Sequence, residues 1–272
     1  MLTENLTLII PWSNRDSLGT ALSANLAALE ESRCRVILVN CGGNIEALMA
    51  QVPVSLKRSS VIDVRHPFNK ALSINLGLAV ASTTLVSVMD ADIIFSLEYL
   101  QEVAHALMKT NCYTTAARVI ETDTPPRVNA AKCIRELTRQ NYLHFHFRDG
   151  KKIKFCTLNS ELLTGAQGGP GLLAAHCTDL KTVGGFNSEL SHWGWEDQDI
   201  QLRLIYRLGL ERLEVGTVSH LTHSDDTRNL ASLTKQQANI DNMNKCLEEY
   251  DRGNFEGSYA RDIKVLHEIR TL

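Results

Sequence analysis

Several features that would define a class of protein are scarce in this sequence. Its 272 residues include only seven cysteines, six prolines and three tryptophans, and no two cysteines form a CxxC pair. An odd number of unclustered cysteines is typical of reduced thiols rather than of a disulfide framework. The net charge is only −3, without a long run of either sign. This balance argues against nucleic acid or an anionic membrane as the main partner.

Targeting signals are also lacking. No basic segment precedes the apolar run Leu6–Pro11, which is too short for the core of a signal peptide or for a membrane span. We therefore expect a cytoplasmic protein, with peripheral contact to an inner membrane left open. A hydrophobic content of 44% and a charged content of 22% are typical of an ordinary globular protein. The length suits one large α/β domain, alone or with an appendage.

The first hundred or so residues alternate short apolar strands with helical patterns, the rhythm of βαβ units. Strands are predicted at Leu6–Pro11, Val36–Val39, Val61–Val64 and Thr84–Met89, and helices at Ser17–Leu29 and Asn69–Ala81. This order predicts an α/β fold with a Rossmann-like, mostly parallel central sheet flanked by helices. Ligands of such sheets bind at the carboxyl ends of the strands.

The rest of the chain has weaker patterns. Strands are predicted at Tyr113–Val119, Leu143–Phe147 and Leu213–Val218, and helices at Arg127–Arg139, Leu230–Tyr250 and Tyr259–Ile269. Asp149-Gly150 predicts a turn. The glycine-rich stretch Leu162–Ala175 predicts a flexible or tightly bent backbone near a ligand. We expect a catalytic domain over residues 1–225 and a C-terminal helical extension, residues 226–272, packed on it.

Asp90 and Asp92 follow the strand at Thr84–Met89. In an extended conformation both side chains would point to the same side. Paired carboxylates of this kind suit Mg²⁺ or Mn²⁺ bridging a diphosphate. The alternative is a solvated strand end, because D-x-D is a common sequence.

His220 and His223 follow the last predicted strand. An imidazole among oxygen ligands would favour Mn²⁺ over Mg²⁺. The spacing does not choose between the two histidines, and a surface or core histidine is the ordinary alternative.

Two of the three tryptophans, Trp193 and Trp195, stand directly before Glu196 and Asp197 at the predicted start of a helix. The helix dipole favours ionised carboxylates there, and one of them could accept a proton from a hydroxyl group as general base. The indole rings could offer apolar faces to a sugar. The alternatives are plain acidic residues at a helix start and tryptophans packed in the core.

Four stretches occur in the order seen in the β-1,4-galactosyltransferase family, which this chain resembles. They are Pro11-Trp12-Ser13-Asn14-Arg15, Phe68-Asn69-Lys70-Ala71, Asp90-Ala91-Asp92, and Gly184-Gly185-Phe186 through Trp193-Gly194-Trp195-Glu196-Asp197. The chain is also similar to glycosyltransferase family 2 and to the transferase domains of bacterial chondroitin polymerases. The resemblance spans roughly Leu6 to Ser224.

The resemblance implies a GT-A fold and inverting transfer of a hexose or N-acetylhexosamine from a UDP-sugar, with Mn²⁺ as cofactor or Mg²⁺ in its place. It implies that Asp90, Asp92 and His223 hold the metal. It assigns the general base to Asp197, with Glu196 as the other catalytic carboxylate. The nucleotide-sugar contacts that it implies are Pro11, Arg15, Phe68, Lys70, Asp90, Gly168, Gly169 and Trp195. We add Asn40, at the end of a predicted strand, to these expected contacts.

The sequence departs from the family at three places. The family often has a lysine or arginine after Phe-Asn, and Lys70 meets this only as a point charge, without the fork of arginine. Gln198 interrupts the acidic run, and Ala166 replaces a bulkier residue before the glycine pair. A smaller side chain there would leave room for an N-acetyl group, so UDP-Gal, UDP-GalNAc and UDP-GlcNAc are all candidate donors. A glycan or glycolipid is the expected acceptor, and Asn141–Leu163 and the helices after Asp225 would form the acceptor side or a homo-oligomer contact.

Three other functions remain open at this point. A retaining GT-A transferase of the polypeptide N-acetylgalactosaminyltransferase type would not need Asp197 as base. A nucleotidyltransferase on a similar scaffold would not explain the paired tryptophans. A catalytically silent module that binds nucleotide sugars or glycans would keep the scaffold, but the intact set of carboxylates argues against it.

Overall fold

The structure, a computed structural model, describes residues 2–109, 111–123, 134–190, 194–222 and 234–268. Within them a ten-stranded sheet lies between layers of helices. The strands are β1 (Leu6–Trp12), β2 (Arg35–Cys41), β3 (Ser59–Val64), β4 (Leu85–Val88), β5 (Ile93–Ile94), β6 (Cys112–Glu121), β7 (Thr138–His146), β8 (Lys152–Glu161), β9 (Gln167–His176) and β10 (Glu211–His220).

The helices alternate with the strands in the first half of the chain and dominate the C-terminal part. They are α1 (Ser17–Ser32), α2 (Ile45–Gln51), α3 (Lys70–Val80), α4 (Leu97–Ala106), α5 (Cys177–Thr182), α6 (Glu196–Leu208), α7 (Lys235–Asp251) and α8 (Tyr259–Asp262), with short 3-10 helices at Leu2–Asn5 and Ile263–Glu268. No helix in these described ranges is both long and apolar enough to cross a membrane.

The strand order is β3-β2-β1-β4-β9-β6-β10-β5. Strands β1 to β4 are parallel to one another, which confirms the Rossmann-like half expected from the sequence. β9 is antiparallel to both β4 and β6, and β10 is parallel to β6. The β7–β8 hairpin joins the sheet through the edge of β9. The second half of the sheet is therefore mixed.

Alternating side chains of the central strands supply two apolar layers. Leu6, Leu8 and Ile10 of β1 pack against α1 and α4, whereas Ile9 packs on the opposite face with α3. This division follows from the two-residue period of a strand. A third, smaller cluster lies between the β7–β8 hairpin, α6 and α7, and contains Phe155, Leu202 and Tyr250.

Two predicted elements are wrong where the structure describes them. A helix was predicted at Arg127–Arg139. Of these residues, 127–133 lie outside the described part, 134–137 are not helical, and Thr138 and Arg139 belong to strand β7. Thr138–His146 instead pairs with β8 around the turn at Asp149-Gly150, where Gly150 has φ 88°. Long-range strand pairing here overrides the local helical pattern.

The glycine-rich stretch Leu162–Ala175 also differs from its prediction. Most of it forms the regular strand β9, although its register against β6 shifts twice. The turn at Asp149-Gly150 and the remaining strands are confirmed, with ends that differ by a few residues. The helix predicted at Tyr259–Ile269 is one turn of α-helix followed by a 3-10 helix.

A buried ion pair fixes α6 to the rest of the molecule. Arg203 donates to Asp199 Oδ2 at 2.6 Å and to the carbonyl groups of Val183 and Gly185, and the Tyr250 hydroxyl donates to Asp199 Oδ1 at 2.6 Å. The side chains of Arg203 and Asp199 are 1% and 2% exposed. The pair therefore connects the loop before α6 with α7 and holds the helix that begins at Glu196.

Replacing Arg203 with Met should lower the free energy of unfolding by roughly 3–5 kcal/mol, because Asp199 would keep a buried charge without its cation. Chemical denaturation would measure the change. Arg207→Met, one turn later at an exposed position near the end of α6, is the matched control and should cost less than about 1 kcal/mol. An equal decrease in the free energy of unfolding in the two variants would show that the buried ion pair does not stabilise the protein more than an exposed one.

Candidate active site

A cleft of about 600 Å³ opens at the carboxyl ends of β1 and β4 and is closed on the far side by β9 and the start of α6. Most of the residues that the sequence analysis singled out line it. They are Pro11, Arg15, Phe68, Lys70, Asp90, Asp92, Gly168, Gly169, Glu196 and Asp197. Residues from distant parts of the chain therefore meet in one cleft, as expected for the carboxyl edge of a parallel sheet.

Lys70 is the centre of this cleft. It is the first residue of α3, whose N-terminus is capped by the Asn69 side chain. Its ammonium lies 3.1 Å from Asp90 Oδ1 and 3.4 Å from Asp197 Oδ1. The side chains of Lys70 and Asp197 are only 18% and 17% exposed. One cation thus joins an aspartate proposed from sequence as a metal ligand to the aspartate proposed as general base.

The charges of the cleft shift one another. Burial disfavours the ammonium form of Lys70, but the carboxylates of Asp197 and Asp90 outweigh burial and raise the pKa of Lys70 above its ordinary value. Burial raises the pKa of Asp197, and Lys70 opposes that shift. Burial and the charge of Asp197 raise the pKa of Glu196 to about 7. Carboxyl groups with raised pKa values in a cleft are suited to accepting a proton.

Asp90 and Asp92 lie on a turn rather than on an extended strand. β4 ends at Val88, and the Ile93 amide donates to the Asp90 carbonyl at 3.3 Å. This turn starts β5, which pairs with the end of β10. Because the backbone turns, the two carboxylates meet different partners: Asp90 contacts Lys70, and Asp92 contacts His220. Both still line the cleft.

His220 occupies the end of β10, with Nε2 3.4 Å from Asp92 Oδ1 and Nδ1 2.8 Å from Glu121 Oε2. Burial lowers the pKa of His220, but the hydrogen bonds and charges of Asp92 and Glu121 raise it to about 9. No local sequence pattern indicated a role for Glu121. Only the parallel register of β6 and β10, in which His220 is paired with Glu121, brings the two together.

His223 lies outside the residues that the structure describes. In the described ranges, no three His, Cys, Asp or Glu side chains converge closely enough to form a metal-binding group. Asp90, Asp92 and His223 as a metal-binding set therefore remain a prediction.

The start of α6 places Glu196 and Asp197 on the cleft, as the sequence predicted. The backbone of β9 approaches Asp197 closely, because a Cβ atom on Gly171 would lie 2.6 Å from Asp197 Oδ2 and 3.2 Å from Lys70 Nζ. Gln201 donates to the carbonyl groups of Pro170 and Asp197 and ties β9 to α6. The Asp197 carboxylate can occupy this position only because residue 171 is a glycine.

Comparison with known protein families agrees with this geometry. The family model described as glycosyl transferase family 2 matches residues 7–160, which is more than half of the chain. The chain belongs to glycosyl transferase family 2. The model described as the N-terminal domain of galactosyltransferase matches residues 163–224 of this family 2 chain, the part that contains Glu196 and Asp197. The sequence matches no curated protein significantly.

Solved structures resemble the fold. A mannosyltransferase from Pyrobaculum calidifontis, in complex with GDP-Man and Mn²⁺, has a TM-score of 0.52 at 13% identity, over 81% of this chain and 58% of that one. The catalytic domain of Drosophila beta1,4-galactosyltransferase 7, in complex with xylobiose, has a TM-score of 0.45 at 15% identity, over 85% of this chain and 77% of that one. The family 2 chain thus spans 58% of the length of the mannosyltransferase. The first likeness confirms the expected GT-A fold.

Two residues predicted to bind the nucleotide sugar do not line the cleft of this family 2 chain. Trp195 is 4% exposed and packs in the third apolar cluster with Leu190 and Leu202. Its φ of 71° is unusual for a large side chain, so the surrounding structure must hold it in place. This favours core packing over a ring face offered to a sugar. Trp193 lies outside the described residues.

Asn40 is the second residue, and its side-chain amide donates to the Gly43 carbonyl and to Asp63 Oδ1 at 2.7 Å. It therefore braces the ends of β2 and β3, beside a separate cleft of about 660 Å³ whose lining includes Gly43 and Asp63.

Ala166 gives no support to the argument for an N-acetyl donor. It is 1% exposed and does not line the cleft, whereas its neighbours Gly165 and Gln167 do. The small size of the Ala166 side chain therefore does not enlarge the cleft, and the choice among donor sugars needs another observation.

Replacing Lys70 with Met should raise the pKa values of Asp197 and Glu196 further, because the Lys70 charge lowers both. Carboxyl-selective ¹³C NMR titration would measure the two groups. Lys70→Arg, which keeps the charge, should change them less. An unchanged or lower pKa of Asp197 in the Met variant would contradict the coupling.

Proposed function

We propose that this chain is an inverting, metal-dependent glycosyltransferase that moves a hexose or N-acetylhexosamine from a UDP-sugar to a hydroxyl group of a glycan. The observation that carries the proposal is the cleft itself. Within a family 2 framework it brings Asp90 and Asp197 to the Lys70 ammonium and places Asp92 on the same cleft. A binding module would not need a buried carboxylate with a raised pKa at this place.

A divalent cation suits the donor atoms of the cleft. Asp90 and Asp92 offer hard oxygen ligands, which Mn²⁺ and Mg²⁺ prefer. The mannosyltransferase of similar fold was solved with Mn²⁺. Asp90 and Asp92 would hold the ion, with His223 as the ligand proposed from the sequence, and the ion would supply positive charge to the departing diphosphate.

Pro11, Arg15 and Phe68 line the same cleft and would receive the nucleotide. The match to the galactosyltransferase family model supports a UDP-sugar as donor. UDP-Gal, UDP-GalNAc and UDP-GlcNAc remain the candidates.

Asp197 is the general base of the proposal. Its carboxylate would take the proton of the acceptor hydroxyl while that oxygen attacks the anomeric carbon from the face opposite the diphosphate. The charge of Lys70 favours the ionised form of Asp197, and Gly171 leaves the space that its carboxylate occupies. Holding both reactants in line would supply much of the remaining rate.

A screen of nucleotide sugars, measured as nucleotide release with and without Mn²⁺, tests the proposed activity. We expect UDP release that depends on Mn²⁺ and is lost in Asp92→Ala, and NMR of the product should show an inverted anomeric centre. A preference for GDP-sugars, full activity in a chelator, or retention of configuration would each contradict part of the proposal.

Asp197→Asn should keep the affinity for UDP and Mn²⁺ and lower the transfer rate roughly 10²–10⁴-fold, the effect of removing a positioned base. Calorimetry and product formation would separate the two quantities. If the Asn variant stays active and Glu196→Gln does not, the base is Glu196.

Gly171→Ala should lower the transfer rate about 100-fold, because the new Cβ would push the Asp197 carboxylate out of position. Gly19→Ala is the matched control. Its Cβ would meet no atom closer than 3.5 Å, and Gly19 does not line the cleft. A wild-type rate in Gly171→Ala would rule out a constrained position for Asp197.

A further inference from the structure

The β7–β8 hairpin with the residues before it, 134–154, has an unusual charge. It contains six basic residues and two acidic ones, a net charge of +4 in a chain whose net charge is −3. The remainder of the chain therefore carries −7. A basic segment on an otherwise acidic protein creates a local field that attracts anionic surfaces. The basic residues are Arg135, Arg139, Arg148, Lys151, Lys152 and Lys154.

These charges are exposed, and most of them are not used inside the protein. Arg139, Lys152 and Lys154 are exposed and form no ion pair with any residue in the described ranges. The ion pair between Arg148 and Asp251 is solvated on both sides, so it holds little energy. Lys151, in contrast, contacts Asp149 and Tyr206. Arg139, Lys152 and Lys154 therefore remain available to an external partner.

Large apolar side chains are exposed in the same segment. Ile134, Leu137, Tyr142 and Leu143 are each between 37% and 43% exposed. Single exposed apolar residues are ordinary, but several beside free lysines and arginines are the composition of surfaces that lie in a membrane interface.

The hairpin has two different faces. Ile153 and Phe155 pack into the third apolar cluster. Because side chains alternate along a strand, the opposite face carries Tyr142, Lys152 and Lys154, and the Lys154 ammonium lies 3.9 Å above the Tyr142 ring. His144 and His146 are paired in register with the two lysines and share this face. The inner face thus fixes the hairpin to the protein, and the outer face is free to contact a partner.

We propose that this outer face and the residues 134–137 before it dock the protein on a lipid bilayer that contains anionic headgroups. The lysines and arginines match headgroup phosphates, and the exposed tyrosine and aliphatic side chains match the boundary with the acyl chains. A soluble polyanion would match the charges but would gain nothing from Ile134 and Leu137. Docking does not depend on the proposed transferase activity.

The docking face is connected to the cleft through β8. Lys152 and Lys154 lie at the start of this strand, and Thr157 and Leu158, farther along it, line the cleft. A protein held by the hairpin would therefore keep its cleft near the membrane surface, where a lipid-linked glycan could reach it as acceptor.

Co-sedimentation of the full chain with vesicles tests the proposal. We expect binding to vesicles of phosphatidylcholine and phosphatidylglycerol that weakens with salt, and little binding to phosphatidylcholine alone. The double variant Lys152→Glu/Lys154→Glu should lower the partition coefficient at least about tenfold, since each basic residue near such a surface contributes on the order of 1 kcal/mol. Lys57→Glu/Lys109→Glu makes the same charge change at exposed lysines outside the hairpin and should bind as the wild type does.

A second variant, Ile134→Ser/Leu137→Ser, separates a bilayer from other anionic partners. It should weaken vesicle binding and leave binding to dextran sulfate unchanged, with circular dichroism as the check on folding. Three results would overturn the proposal. The first is no binding of the wild type to anionic vesicles, and the second is an equal loss of vesicle binding in the two lysine variants. The third is vesicle binding that is insensitive to the apolar change, which would assign the face to a soluble polyanion instead.

Discussion

The ammonium group of Lys70, shared between Asp90 and Asp197, is the interaction on which the geometry of the cleft depends. Three carboxylates of the cleft come from two distant parts of the chain, and without a cation between them their charges would repel one another. The ordinary alternative for a crowded, partly buried carboxyl group is to take up a proton. The charge of Lys70 opposes this for Asp197 and favours its carboxylate form.

The position of Lys70 is itself set by the fold. α3 starts directly at Lys70 because Asn69 caps it, and the Asn69 amide also donates to the Ser188 carbonyl, in the loop before α6. On the other side of the cleft, the buried pair of Asp199 and Arg203 holds α6 against the loop at Val183–Gly185. The start of α3 and the start of α6 are therefore fixed by polar networks that do not face the cleft. Such support is what keeps two charged side chains within hydrogen-bonding reach of each other.

Charge is also divided over the whole molecule. Five carboxylate side chains line the cleft, and six basic residues lie on the β7–β8 hairpin and just before it. The hairpin shares strand β8 with the cleft. An acidic cleft suits a cation, whereas a basic and apolar hairpin suits an anionic surface. The two regions are built from one continuous sheet, so a protein bound through one of them would present the other in a defined orientation.

Much of the site could be predicted from the sequence, because local patterns and short motifs determine which residues end a strand or begin a helix. The alternation of apolar strands and helices predicted the parallel half of the sheet, and its carboxyl edge predicted the place of Asp90 and Asp92. The roles expected of Lys70 and Asp197 came from the family resemblance. Local patterns were wrong where pairing with a distant segment determines the structure. β7 begins at Thr138, inside a predicted helix, and the turn at Asp90–Asp92 sends two neighbouring carboxylates to different partners.

Residue types and their order along the chain were enough to predict the kind of chemistry, with acidic groups and a lysine at the edge of an α/β sheet. The contacts of individual side chains follow from the folded chain. It placed Trp195 in the core, used Asn40 as a brace, paired His220 with Glu121, and brought Gly171 against Asp197. The reason is physical: composition and periodicity act over a few residues, whereas burial and contact between charges depend on segments that meet only after the sheet has formed.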